Sequence, residues 1–162
     1  LDGMAFMPYV EYGEKGGQTL ALTSDYEAIN WMQRNIDGSP VIMEAHSDNP
    51  YRSIGNRVAM YTGLPSVIGW DWHQRQQRAA AADSGVQARI TDVNAFYNVP
   101  DITFANFIID KYGVEYIYVG ALEWAYYDPN GLTKFDQMVL NGLLEEVYRN
   151  PETSIYRVVD TE

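Results

Sequence analysis

Segments with helical periodicity alternate with short apolar runs along this chain, and turn-rich, strand-like pairs stand at both ends. That pattern predicts an α/β fold. The expected architecture is a three-layer-like domain with a mixed, partly parallel central sheet, helices on its faces and terminal β-hairpins. With 162 residues and 46% hydrophobic content the chain can bury one sizeable core, and no internal linker divides it. Residues 1–162 are therefore expected to form a single domain.

Ala5 to Tyr12 and Gln18 to Leu22 flank Gly13-Glu14-Lys15-Gly16-Gly17 and read as a hairpin with a longer loop. Ser24-Asp25-Tyr26-Glu27 has the Ser-x-x-Glu form of a capping box, in which side chains satisfy the free N–H groups of a helix start. Ile29, Met32 and Ile36 continue at helical spacing, so a helix is predicted from Asp25 to Asp37, with Gly38 as its stop. Pro40 to Ala45 reads as a buried strand that runs into the polar loop Glu44-Ala45-His46-Ser47-Asp48-Asn49-Pro50. Arg57 to Tyr61 fits strand or helix equally. Ser66-Val67-Ile68 reads as a second buried strand behind the turn Gly63-Leu64-Pro65, and Trp70 to Ala82 as loop and then helix.

Ile90, Val93 and Tyr97 share one helical face, and Phe104, Phe107 and Ile108 another; Asp101 or Thr103 can cap the second helix and Gly113 can end it. Val114 to Val119 is a strand by its β-branched and aromatic content, with Gly120 to Trp124 as its polar-aromatic exit. Phe135, Met138 and Val139 give one more short helix ending near Gly142. Leu144 to Arg149 and Ile155 to Val159 form the closing hairpin.

The absence of cysteine removes disulfides and thiolate metal sites, which leaves stability to packing. No stretch approaches the roughly 20 apolar residues of a membrane span. The chain begins at Leu1 without a recognisable signal peptide, so it is expected to be a soluble piece of a longer protein. A formal charge of -11 argues against a nucleic-acid partner, which needs a basic face. The charge is unevenly spread. Residues 49–90 carry Arg52, Arg57, Arg75, Arg78 and Arg89 against Asp71 and Asp83, a local net of +3. An anionic ligand is expected there.

Ligands of open α/β sheets bind outside the carboxyl ends of the strands. That rule gathers Glu44, His46 and Glu123 at one edge, with Trp70 and His73 just past the Val67 run. Glu44 and Glu123 are either a carboxylate pair for acid/base work or, more simply, each caps a backbone or pairs with an arginine such as Arg57 or Arg78. Trp70 and Trp72 offer flat indole faces to a sugar or an interface, or one of them packs inward. Arg75 and Arg78, at i and i+3 beside Gln74 and Gln77, can grip a phosphate or order their loop through ion pairs. His46, Asp48, His73 and a Glu are acceptable zinc ligands, but their spacing matches no compact motif, so neither metal nor cofactor is assigned. A phosphate loop, a Gly-x-Ser-x-Gly elbow and a catalytic triad are all lacking, and no residue is named as catalytic. The ligand-binding candidates are Glu44, His46, Arg57, Trp70, His73, Gln74, Arg78 and Glu123.

Thr62-Gly63-Leu64-Pro65 running into Gly69-Trp70, then His73-Gln74 and Gln77-Arg78, resembles the central motif of the Chlor-Arch-YYY family. These are uncharacterised polytopic membrane proteins of Chloroflexi and archaea. Further colinear matches are Leu1-Asp2-Gly3, Asp25 to Trp31, Val41 to Ala45, Tyr116 to Gly120 with Leu122-Glu123, and Ile155 to Val158, so the resemblance covers nearly the whole chain. The family is similar to membrane glycosyltransferases of the C type, whose membrane helices precede a soluble domain outside the cytoplasm. The resemblance implies that this chain is that soluble C-terminal domain, partnered with the membrane-embedded part of its own chain and with a lipid-linked sugar or other anionic ligand. The Trp-Trp-Asp-Tyr-Gly motif of oligosaccharyltransferases is absent, and Trp70-Asp71-Trp72 is a loose echo of it. Because catalytic acids of such enzymes lie in membrane loops, the chain is expected to be an accessory domain for acceptor or donor binding. The alternatives are a structural domain docked on the membrane helices and, more remotely, a metal hydrolase.

Overall fold

A computed structural model describes residues 3–13, 19–47, 54–78 and 83–159, with backbone alone at 78, 83 and 84. A short 3-10 turn (Met7–Tyr9) leads into the strands β1 (Glu11–Gly13) and β2 (Thr19–Ala21), then α1 (Thr23–Asn35), β3 (Val41–Met43), α2 (Arg57–Thr62) and α3 (Asp71–Arg78). There follow α4 (Asp83–Asn98), α5 (Ile102–Tyr112), β4 (Val114–Val119), α6 (Ala121–Tyr126), α7 (Pro129–Leu132), α8 (Lys134–Leu140), β5 (Leu144–Arg149) and β6 (Ser154–Val158). The central sheet has the order β3-β4-β6-β5. β3 runs parallel to β4, and β6 is antiparallel to both β4 and β5. β1 and β2 pair antiparallel as a separate hairpin.

Alternation of side chains along the strands divides the interior into two cores. Met43, Ile117, Val119 and Tyr156 face a core completed by α4, α5, α7 and α8, through Val93, Phe96, Ile108, Leu132 and Phe135. Ile42, Tyr118 and Ile155 face the other, completed by Ala28, Ile29 and Met32 of α1 and Val58 of α2. The sheet is thus the middle of three layers, as the alternation of elements predicts.

The local differences have physical causes. Of the first expected strand only Glu11 and Tyr12 pair, with Gly13 of the expected linker added, because Pro8 lies in the 3-10 turn and cannot donate to a ladder. The capping box does not form. Helix α1 starts at Thr23 with Leu22 as N-cap, which places Ser24 and Asp25 inward on a stripe with Ala28, Ile29 and Met32. Arg57 to Thr62, ambiguous by periodicity, is helical. Ser66 makes only an isolated parallel bridge to Ile42, since positive φ at Gly63 (77°) and Gly69 (65°) turns the chain away on both sides. Val67 and Ile68 still fill the core without extending the sheet. Gly120 to Trp124 enters helix α6 in place of a strand exit. Asp101 caps α5 by accepting from Thr103 N and Phe104 N, and Gly113 ends that helix at φ 61°. Among the described residues no helix is long and apolar enough to cross a membrane.

Candidate functional site

Four ionisable side chains from separate elements meet inside the domain at the carboxyl ends of β3 and β4. Arg57 opens α2, Asp25 lies in the first turn of α1, Glu44 follows β3 and Glu123 belongs to α6. Arg57 Nε donates to Asp25 Oδ1 at 2.6 Å, and Arg57 Nη2 donates to Glu123 Oε2 at 2.9 Å. The Tyr118 hydroxyl donates to the same Asp25 oxygen at 2.7 Å, and its ring lies 5.0 Å from the guanidinium carbon. Burial works against charge on Arg57, but Asp25 and Glu123 outweigh it and hold the guanidinium well above its ordinary pKa. Glu123 also accepts from Ala45 N at 2.9 Å and Gly120 N at 2.8 Å. One carboxylate therefore ties β3, α6 and α2 together.

Glu44 caps α2. It accepts from Val58 N at 2.8 Å and Ala59 N at 3.1 Å, so it supplies acceptors that Asn56, the N-cap residue, does not. Burial pushes its carboxyl up to about 8, against the pull of Arg57 and of those two N–H groups. The simpler of the two expectations for the carboxylates is therefore the one realised: Glu44 is a cap and Glu123 an arginine partner. Both are buried, and so is Arg57. Together with Asp25 the three form a closed clasp.

The clasp fixes a surface edge. Tyr97 Oη lies 3.0 Å from Met43 O and 2.8 Å from Tyr118 O, bridging the ends of β3 and β4, and Tyr127 stacks on it with ring centroids 4.7 Å apart. His46 N donates to Tyr127 Oη at 3.0 Å, and Tyr126 Oη donates to Ser47 Oγ at 3.1 Å. The loop behind β3 is thereby pinned to α6. Opposite it, Gln74 Nε2 donates to Ile68 O and Arg89 Nη1 donates to Val67 O at 2.7 Å, closing the turn before α3. Trp70 and Trp72 are each about one-third exposed, at 36% and 37%, and His73 is exposed with its ring centroid 4.7 Å from that of Trp70. The structure therefore brings His46, Trp70, His73 and Gln74 to one edge, with Gln74 serving the backbone.

Between the His46 loop and Trp70 the cleft holds about 10 Å³, room for about one water. Three arginines of the +3 segment have partners among the described residues. Arg57 is consumed by the clasp, Arg75 bonds Gln87 at 2.9 Å and faces Asp71 at 3.7 Å, and Arg89 holds Val67 O. The Arg78 side chain, Arg52 and Asp48 lie outside what the structure describes. Among the described residues no three His, Asp or Glu side chains converge to hold a metal ion.

Asp25, Tyr97 and Tyr118 were not singled out from the sequence as site residues. For Asp25 a signal existed: Asp25, Ala28, Ile29 and Met32 stand at i, i+3, i+4 and i+7, the stripe of a buried helix face. A carboxylate on such a stripe needs a buried partner. Tyr97 stands on the apolar face of Ile90 and Val93, which marks its burial but not its hydrogen bonds, and Tyr118 carries no comparable mark.

No protein-family model matches the chain, and no curated protein does. A solved structure is similar: the C-terminal globular domain of an oligosaccharyltransferase from Archaeoglobus fulgidus, at 17% identity and a TM-score of 0.50. The likeness spans 82% of this chain and 95% of that domain. This chain has that domain's fold. At that identity the kinship is one of architecture, and in this chain the carboxyl edge of the fold carries Trp70, Trp72 and His73.

Proposed function

We propose that this chain is the globular accessory domain of a membrane-embedded, glycosyltransferase-like protein of the Chlor-Arch-YYY type, standing on the extracytoplasmic side of the membrane. Its aromatic edge receives the acceptor or the lipid-phosphate-linked sugar donor, while catalysis belongs to the membrane part. The carrying observation is the fold, shared with nearly the whole C-terminal domain of an oligosaccharyltransferase. The exposed pair Trp70 and Trp72 supports it, because indole faces stack on sugar rings and His73 adds a polar group beside them. Arg78, next along α3, is the cation assigned to the donor phosphate. Arg57, Glu44, Glu123 and Gln74 hold the edge in shape.

One observation favours a second use of the same edge. Three arginines of the positive segment serve internal partners, and the cleft beside Trp70 is small. Both fit a surface that docks on the membrane helices. A photo-crosslinking residue in place of Trp72, in the full-length protein in native membranes, separates the two. Adducts to a polyprenyl-linked saccharide support the ligand edge, adducts to upstream helices support docking, and adducts to neither overturn both.

A further inference from the structure

A second cleft, sharing no lining residue with the Trp70 edge, opens where β4 ends and the β5–β6 turn passes over α6 and α8. It encloses about 500 Å³, within the range of small-ligand sites. Trp124 of α6 lines it and is 45% exposed, so part of the indole is open to a ligand. Asp136 and Arg149 stand opposite, their side chains about 60% open (63% and 59%) and 3.7 Å apart. Tyr156 Oη donates to Asp136 Oδ1 at 3.3 Å, fixing the carboxylate from below. The rim is built before any ligand arrives, because Asn150 Oδ1 accepts from Thr153 N at 2.8 Å and from Glu152 N at 3.2 Å and so locks the turn. Thr153, also lining the cleft, has a buried hydroxyl with no hydrogen-bond partner among the described residues.

The combination selects a ligand class. An indole face beside a carboxylate and a guanidinium matches a pyranose: its C–H face stacks, and neighbouring hydroxyls donate to the carboxylate and accept from the guanidinium. Anionic ligands are disfavoured. Asp136 and Glu152 outnumber Arg149, whose charge Glu146 already meets at 2.6 Å, and the chain is strongly acidic. Cationic peptides meet the guanidinium on the rim. We propose that this cleft is a binding site for an uncharged saccharide unit, stacked on Trp124 and hydrogen-bonded by Asp136 and Arg149. The inference rests on the cleft itself and not on the reading of the Trp70 edge.

The test is two-dimensional NMR of the 15N-labelled chain, following the four indole N–H signals during titration with maltotriose, mannotriose and chitotriose, and separately with inorganic phosphate and the peptide Gly-Lys-Gly. Trp124→Ala assigns its own signal and, being at an exposed position, leaves the remaining spectrum folded. The expected result is a saturable shift of the Trp124 signal with at least one trisaccharide, at the millimolar Kd that a single open stacking site sustains. Asp136→Asn weakens it about tenfold, the loss of one charge-assisted hydrogen bond. Trp70→Ala leaves it unchanged. A Trp124 signal unmoved by all three trisaccharides overturns the proposal, as does one moved only by phosphate or by the peptide. The Trp70 and Trp72 signals report on the other edge in the same spectra, so failure at one site is distinct from failure at the other.

Discussion

Arg57 and Glu123 meet at 2.9 Å with side chains 1% and 0% exposed, and Asp25 takes the other side of the same guanidinium at 2.6 Å. A buried ion pair adds little stability over an apolar packing, yet removing one partner leaves uncompensated charge. Arg57→Met strands two carboxylates and is expected to cost about 3–5 kcal/mol in urea unfolding. Arg57→Lys does not restore the loss, because one ammonium cannot reproduce the fork that serves both carboxylates. A cost below about 1 kcal/mol for Arg57→Met would show that the clasp contributes no structural restraint.

Glu44 gives a pH signature. Its folded carboxyl is raised to about 8 by burial, above the ordinary 4.5, so the folded state retains a proton that the unfolded chain releases. The stability this supplies is fully present below about pH 4.5 and is lost as pH rises through about 8. Glu44→Gln, neutral throughout, lacks the dependence. The difference in unfolding free energy between the native chain and Glu44→Gln should therefore shrink across that window, at up to about 1.4 kcal/mol per pH unit. A difference constant from pH 5 to pH 8 contradicts a protonated Glu44.

Gly131 of α7 packs on the last turn of α4. A Cβ there would lie 2.1 Å from Tyr97 O and 2.5 Å from Asn98 O, both main-chain atoms that cannot step aside alone. Gly131→Ala is expected to lower stability by about 3 kcal/mol or more, read as a fall in Tm. Gly142→Ala provides the contrast: its Cβ meets nothing within 4 Å, so any loss there comes from its φ of 73° alone.

Much of this architecture is legible in the sequence, for reasons tied to particular residues. β4, α5 and the closing hairpin are read correctly because their patterns are local: β-branched content in Val114 to Val119, Asp101 and Gly113 at the ends of α5, and turn residues around Pro151. Arg57 to Thr62 stayed ambiguous because so short a run completes less than two helical turns. The cap that fixes it, Glu44, comes from another element. The charge reversal at 49–90 is plain in the sequence, but the internal partners of Arg57, Arg75 and Arg89 are not, because they come from distant positions. The cleft at Trp124 was invisible because Asp136, Arg149 and the indole converge only through the fold.

Trp70 and Trp72 are partly exposed, so the double variant Trp70→Ala, Trp72→Ala should retain cooperative unfolding within about 1 kcal/mol of the native chain. Loss of the fold would instead make these indoles part of the core.

On the proposed reading, this edge serves glycosyl transfer by a membrane-embedded protein of which the domain is one part. The direct measurement is the transfer rate from a polyprenyl-phosphate-linked sugar by the full-length protein in membranes, compared with its Trp70→Ala, Trp72→Ala variant at equal expression. A loss of about tenfold or more is expected, the scale of stacking contacts removed from a bound sugar. Transfer at the native rate by a folded double variant would contradict it.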